Sequence, residues 1–324
     1  MENVVKAICR KEGIACQTIQ VLSGGQVNAV FLVDGKHILR IGAREDAGPR
    51  LERETIILQN LAGQLPVAKV LAFGQEQGFF YQVQQFMPGQ KLYTIWKNLS
   101  ADVQDAIAAE LAVSLKILHS ANFPDFGEGQ QDSQRYATWI DYLTDKFQNT
   151  VAEIRDLNIR MIPGFIEMAV NYFEEHKHVL QDGVPTLVHS DMTLVNILAE
   201  NGKVSAILDF EFAKQAPADY ELLAIEAFCL YPNDWAEEDN EVFCTADFAN
   251  LIPLIRKHYP ELFEIRNLRE RMDIYHVYAA LSSYLAWRKA NLSTIPPERM
   301  AAKEFYLGRI TNILWDHGAR MFYA

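Results

Sequence analysis

From Leu187 to Ala213 the chain reads LVHSDMTLVNILAENGKVSAILDFEFA, short apolar runs interrupted by His189, Asp191, Asn196 and Asp209. Polar groups set among Leu, Val and Ile must each find a partner or a chemical task, because burying one unpaired costs roughly 1–3 kcal/mol. Asn201-Gly202 is a two-residue hairpin signal, so the strand opened by Asn196 turns there, returns through Val204 to Leu208 and delivers Asp209. Asn196 and Asp209 then stand at the start of one strand and the end of its partner, with Asp191 one short loop away. Three oxygen-bearing side chains converge. Asn196 and Asp209 offer the hard oxygen donors that Mg²⁺ favours, and Asp191 is left to orient a hydroxyl. The competing reading is that each group only caps a turn, as isolated H-x-D matches commonly do. The D-x-x-x-x-N spacing, the hairpin and Asp209-Phe210-Glu211 together favour a site.

The rest of the chain changes character once. After an opening helix, residues 18–41 alternate in the manner of strands, with Asp34-Gly35 as a hairpin turn. A charged helix is predicted over 49–61, with Leu51, Ile57, Leu58 and Leu61 on one face, and strands over 67–73 and 79–85. The order is β-β-α-β-β. The run FMPGQKL, 86–92, is a connector. Beyond it helices are predicted at 101–120, capped by Ser100, and at 133–158, 163–181, 217–230, 246–258, 266–291 and 297–319. This divides the chain into a β-rich part, 1–88, and a mainly helical part, 89–324, an α+β organisation without internal repeats.

Composition narrows the function classes. Thirty basic against 42 acidic residues give a formal charge of −12, which repels nucleic-acid phosphates, so no nucleic-acid partner is expected. No apolar run reaches spanning length, and MENVVKAICRKEG carries charges where a secretion signal would be apolar; the expectation is a cytoplasmic chain with no membrane partner. Cys9, Cys16, Cys229 and Cys244 are scattered without a C-x-x-C pair and read as free thiols.

The 187–213 segment resembles the catalytic and metal-binding stretches of the aminoglycoside phosphotransferase and choline kinase-like superfamily, relatives of protein kinases, whose usual form is H-G-D-x-x-x-x-N followed by D-[FW]-[GE]. LSGGQVNAVFLV, 22–33, is similar to that family's phosphate loop. HILRIG, 37–42, is similar to its cation-bearing strand, and RLERETIILQNL, 50–61, to the helix whose Glu pairs with that cation. FYQVQQFMPGQKL, 80–92, looks like the hinge, SLKILHSA, 114–121, like the helix ending in Leu-His, and APADYELLAI, 216–225, like the helix after the metal Asp. Residues 126–143 and 257–272 resemble the branch containing hygromycin B phosphotransferase.

The resemblance implies a protein kinase-like two-lobed fold that binds ATP, with GTP as the alternative, together with Mg²⁺, and phosphorylates a small-molecule hydroxyl. It implies that Gly24 and Gly25 approach the phosphates, that Arg40 neutralises them while held by Glu54, and that Gln85 and Met87 offer backbone groups to the base. Asp191 would be the catalytic carboxylate and His189 the brace of its loop, with Asn196 and Asp209 on the metal. An isolated Asp, pKa about 3.9, is a weak base at neutral pH, so Asp191 would chiefly orient the nucleophile.

The sequence departs from the family pattern at Arg40, where protein kinases carry Lys, at Ser190 in place of Gly, and at Glu221 in place of Asp. Glu211, Trp235, Glu237 and Glu238 would favour a cationic acceptor such as an amino sugar or aminoglycoside, since carboxylates pair with ammonium groups and aromatic faces attract them. Tyr136 and Trp139 would either close the other side of that acceptor site or pack in the core. The alternatives are a metabolic kinase for choline, homoserine or a thio-sugar, and a nucleotide-binding regulator without catalysis. The oligomeric state is open.

Overall fold

In the computed structural model, residues 1–23, 28–42, 47–129, 133–157, 164–235 and 242–289 are described. Helix α1 (Glu2–Lys11) precedes strands β1 (Ile19–Ser23), β2 (Asn28–Val33) and β3 (His37–Gly42), helix α2 (Ala47–Leu61) and strands β4 (Val70–Glu76) and β5 (Phe79–Gln85). The strands form one antiparallel sheet in the order β1-β2-β3-β5-β4. Two of its hairpins turn through positive φ, Asp34 and Gly35 at 51° and 63°, both residues that accept it, and Gln77 and Gly78 at 50° and 84°, where the glycine does.

Period-two alternation gives the sheet two unlike faces. Leu39, Ile41, Phe31, Val33, Tyr81 and Val83 pack against Val4, Val5, Ile8 and Cys9 of α1. The opposite face, toward α2, is polar yet buried. Gln82 donates to Thr55 Oγ1 at 2.8 Å, Gln84 donates to Gln82 Oε1 at 2.6 Å, and Arg40 meets Glu54. This polar layer fixes α2 on the sheet, since every group in it needs its partner once water is excluded.

The remainder is mainly helical. β6 (Gln90–Lys91) and α3 (Leu92–Ile95) lead to α4 (Ala101–His119), α5 (Trp139–Asp156) and α6 (Phe165–His176). Then come β7 (Thr186–Val188), the hairpin β8 (Ile197–Glu200) and β9 (Lys203–Ile207), and β10 (Lys214–Ala216). Helices α7 (Glu221–Leu230), α8 (Thr245–Phe248), α9 (Leu251–His258) and α10 (Leu268–Lys289) follow. A large apolar core built on Trp96, Trp139, Phe147, Phe173 and Phe228 runs through this part. Among the described residues no helix is long and apolar enough to cross a membrane.

Three predicted helices differ from the observed ones for physical reasons. The stretch 133–158 begins its helix only at Trp139, because Thr138 caps it by accepting from the Asp141 N–H at 3.2 Å. The stretch 246–258 is split at 249–250. Pro253 has no N–H and would clash with the carbonyl four residues earlier, so it is accommodated in the first turn of a new helix that starts at Leu251. The stretch 163–181 narrows to α6 plus a 3₁₀ turn, Lys177–Leu180. The helix predicted at 297–319 lies outside the described residues.

Candidate active site

The chain leaves β7 at Val188 directly into His189-Ser190-Asp191. His189 is fully buried. Its Nε2 donates to the Leu208 carbonyl at 2.9 Å, and its Nδ1 accepts from the Asp191 N–H at 3.2 Å. Those two bonds define a neutral imidazole, and burial holds its pKa below the ordinary value. Because Leu208 precedes Asp209, the ring ties the loop to the end of the β8–β9 hairpin.

Ser190 adopts φ 66°, a left-handed conformation that glycine takes freely and other residues at a cost of roughly 1–2 kcal/mol. The loop holds it there through Glu221 at the start of α7, whose carboxylate accepts from the His189 N–H at 2.6 Å and the Ser190 N–H at 3.0 Å. The longer Glu in place of Asp thus serves as the loop's anchor. The Ser190 hydroxyl is buried without a hydrogen-bond partner. Ser190→Gly removes both penalties while adding unfolded-state freedom, so it should stabilise the protein by about 1 kcal/mol, read as a higher urea midpoint at unchanged slope.

Asp191 is gripped from two sides. Its Oδ2 accepts from Asn196 Nδ2 at 2.8 Å, and its Oδ1 accepts from Trp235 Nε1 at 3.3 Å. Burial, then the charge of Asp209, push its pKa up to about 7. Asn196 also donates to the Asp191 carbonyl at 2.9 Å, which commits its NH₂ group and leaves the amide oxygen as its free ligating atom. Next to it in space, the Leu208 N–H donates to the Asn196 carbonyl at 2.8 Å, continuing the hairpin, whose turn at Asn201 and Gly202 has φ 52° and 74°. Asp209 follows at φ 61° with its side chain 40% exposed. The hairpin therefore brings Asn196, Asp209 and Asp191 together.

From the sheet, β3 presents Arg40 and α2 presents Glu54. Arg40 Nη1 donates to both Glu54 oxygens at 2.5 Å, while Nη2 reaches Asp209 at 3.2 Å and Glu211 at 3.4 Å. Burial opposes its charge, but Glu54, Asp209 and Glu211 outweigh it and hold the guanidinium pKa above its ordinary value. Glu54 also accepts from the Phe210 N–H at 3.1 Å, so α2 is docked onto the segment after Asp209. Arg53, one residue before it, donates to the carbonyls of Glu128 and Glu211.

Not every predicted residue lands where it was expected. Glu211 is buried and turned toward the sheet, its carboxylate between Arg40 and Arg50 (3.1 Å), which corrects its assignment to an acceptor's ammonium group. Trp235 donates to Asp191 and lines the cavity beyond it. Tyr136 and Trp139 are core residues: Trp139 stacks on Tyr142 and donates to the Tyr275 hydroxyl at 3.0 Å, and Tyr136 donates to Asp145 at 2.6 Å. At the connector the Gln85 N–H goes to the Lys69 carbonyl and the Phe86 N–H to the Lys36 carbonyl, both at 2.9 Å, so Met87 is the first residue past the sheet's hydrogen bonding. Gly24, Gly25, Glu237 and Glu238 lie outside the described residues.

Two clusters went largely unread in the sequence, which had named only Trp235 among them. Beyond Asp191, a cavity of about 430 Å³ is walled by Phe212, Tyr220, Tyr231, Trp235, Tyr278 and Tyr284, with Lys214 at its side. Lys214 pairs across β7–β10 with Val188, one residue before His189. It lies 3.6 Å from Glu128, whose pKa is about 2: burial, which raises it, is outweighed by Lys214, the Tyr142 hydroxyl, Lys146 and Arg53. Below the cavity, Arg271 grips the fully buried Asp219 through two bonds of 2.6 and 2.8 Å. A charged residue inside an apolar stretch was the available signal for Asp219, and FGEG followed by a distant Lys gave none for Glu128.

The chain was compared with known proteins. The sequence profile of the phosphotransferase enzyme family matches residues 18–262. No curated protein sequence matches it. Among solved structures it is similar to a thermostable mutant of aminoglycoside phosphotransferase APH(4)-Ia in ternary complex with AMP-PNP and hygromycin B, at 17% identity over 99% of this chain and 100% of that one, TM-score 0.70. A streptomycin–ATP–APH(2'')-IIa ternary complex superposes at 16% identity over 97% of each chain, TM-score 0.68. ADP-bound APH(2'')-Ib does so at 16% identity over 96% and 98%, TM-score 0.67. At these identities the likeness is one of fold, the kinase-like α+β fold.

Proposed function

The chain belongs to the phosphotransferase enzyme family, and from that premise we propose that it transfers the γ-phosphoryl group of ATP to a hydroxyl of a small molecule. The observation that carries this reading is the meeting of Asp191, Asn196 and Asp209 on one face with the Arg40–Glu54 pair on the other, Arg40 lying 3.2 Å from Asp209. Phosphoryl transfer asks little covalent chemistry of a protein. It asks for positioning and for cations where charge accumulates.

Each side chain has a part in that. Arg40, kept charged by its carboxylate neighbours, faces the place where phosphate oxygens would lie, and Glu54 fixes its direction. The oxygens of Asp209 and Asn196 would hold Mg²⁺. The donor set fits it: one half-exposed carboxylate and one amide carbonyl suit an ion that keeps waters and substrate phosphates in its shell. Bound there, the ion would neutralise phosphate charge.

Asp191 accepts the hydrogen bond of the acceptor hydroxyl on a lone pair that Asn196 and Trp235 leave over. The hydroxyl oxygen forms its bond to the γ-phosphorus as the bond to the bridging oxygen breaks. The proton passes to Asp191, and ADP leaves. A regulator without catalysis was the rival reading, resting on Ser190 and Arg40. Against it stand the Glu221 anchor that keeps Ser190 in the left-handed form and the intact Arg40–Glu54 pair. The test is whether the full chain binds ATP by calorimetry only when Mg²⁺ is present and forms ADP when given alcohols. Binding that ignores Mg²⁺ would sink the reading.

A further inference from the structure

Resting on that phosphotransfer reading, we infer that the side chain of Gln84 selects the nucleotide's base: its amide oxygen takes the amino group of adenine and turns away the carbonyl of guanine. The polar layer between α2 and the sheet is a chain of hydrogen bonds, and that chain has a direction. At its α2 end the Leu51 carbonyl, which can only accept, takes the Thr55 hydroxyl at 2.7 Å. The Thr55 oxygen in turn accepts from Gln82 Nε2 at 2.8 Å, the same nitrogen lying 3.4 Å from the Leu51 carbonyl. Gln82 is thereby left to offer its Oε1, and Gln84, two residues further along β5, meets that oxygen with Nε2 at 2.6 Å.

The oxygen and nitrogen of an amide are alike in shape, so only their partners tell them apart. Here the partners do. Reversing Gln82 would bring its oxygen toward the Leu51 carbonyl, and reversing Gln84 would set its oxygen against that of Gln82. Thr55, Gln82 and Gln84 are all buried, so a bond lost among them is not replaced by one to water. The end left over is Gln84 Oε1, which no donor among the described residues reaches.

The place of that oxygen gives it a task. Gln82 stands opposite Arg40 in the β3–β5 ladder and Gln84 opposite Ile38, so Arg40, Gln82 and Gln84 share one face of the sheet. Gln84 is one step along that face from the phosphate cation toward the connector, where Met87 is the first residue past the sheet's hydrogen bonding. From the register of Arg40 to Gln85 is about 10 Å of strand, the reach of a ribose and its base. A nucleotide with its phosphates at Arg40 and its base at the connector brings the edge of the base to Gln84. Adenine carries an amino group on that edge, a donor, and guanine a carbonyl, an acceptor. A fixed acceptor in the wall pairs with the first and leaves the second facing another oxygen.

The experiment titrates the full chain by calorimetry with the Mg²⁺ complexes of AMP-PNP and GMP-PNP. AMP-PNP should bind more tightly by about 10-fold or more. Gln84→Met keeps the length of the side chain and removes the oxygen, so the ratio should fall to within about 3-fold. Gln82→Met leaves Gln84 in place and frees its amide to turn, so GMP-PNP should bind this variant more tightly than it binds the wild type. A variant that merely loosened the fold would lose both nucleotides together. Equal binding of the two nucleotides by the wild-type chain overturns the inference whether or not either variant folds, and so does a ratio that Gln84→Met leaves unchanged. A chain that binds neither nucleotide refutes the phosphotransfer reading and this inference with it, whereas two nucleotides bound alike refute only the choice of base.

Discussion

Asp191→Asn should leave Mg²⁺-ATP affinity within a few-fold of wild type while turnover falls by about 10²–10⁴-fold, the usual worth of a positioned proton acceptor. The asymmetry follows from where the group sits. Its two oxygens accept from Asn196 and Trp235, whereas Arg40 reaches Asp209. The amide also presents an NH₂ to one of two donors, so one of those bonds is lost and the thermal midpoint should drop slightly. Calorimetry for the nucleotide and steady-state ADP release for turnover separate the effects. An unchanged kcat would remove Asp191 from the reaction.

Asp209→Ala should weaken nucleotide binding by about 100-fold or more in the presence of Mg²⁺ and erase the dependence on the metal, since loss even of an outer-shell partner to a metal costs 10–100-fold. Backbone strain complicates this variant, because Asp209 sits at φ 61° and alanine tolerates that conformation worse than aspartate. Asp209→Asn is the control, as asparagine accepts left-handed geometry while losing the charge. Both should fold, since the side chain is 40% exposed and Arg40 keeps Glu54 and Glu211. Calorimetric titration of ATP with and without Mg²⁺ decides; a wild-type response to the metal in both variants would be incompatible with the assignment.

What could be read from the sequence was local in origin. Asn201-Gly202 and Asp34-Gly35 announced their hairpins because two-residue turns demand residues that accept positive φ, and both have it. The convergence of Asn196 with Asp209 followed from that turn alone. The Arg40–Glu54 pair was available only through the family resemblance, since 14 residues of chain carry no geometric signature of contact. Glu211 was misplaced because a carboxylate two residues after Asp209 can face either way, and Arg40 and Arg50 attract it to the sheet side. The Lys214–Glu128 pair joins residues far apart through the bridge between Gly127 and Gln215, a tertiary contact that no spacing predicts.

Arg53 gives the molecule a mechanical property that follows from its two carbonyl partners. One guanidinium on α2 holds the backbone of Glu128 and that of Glu211 together, and Glu128 in turn lies against Lys214 at the cavity beyond Asp191. Any tilt of α2 that loosens Glu54 from Arg40 must also pull on Glu128. The same guanidinium therefore ties the Arg40–Glu54 side of the molecule to the Lys214 side, and any effect that occupation of one has on affinity at the other must be returned in equal measure.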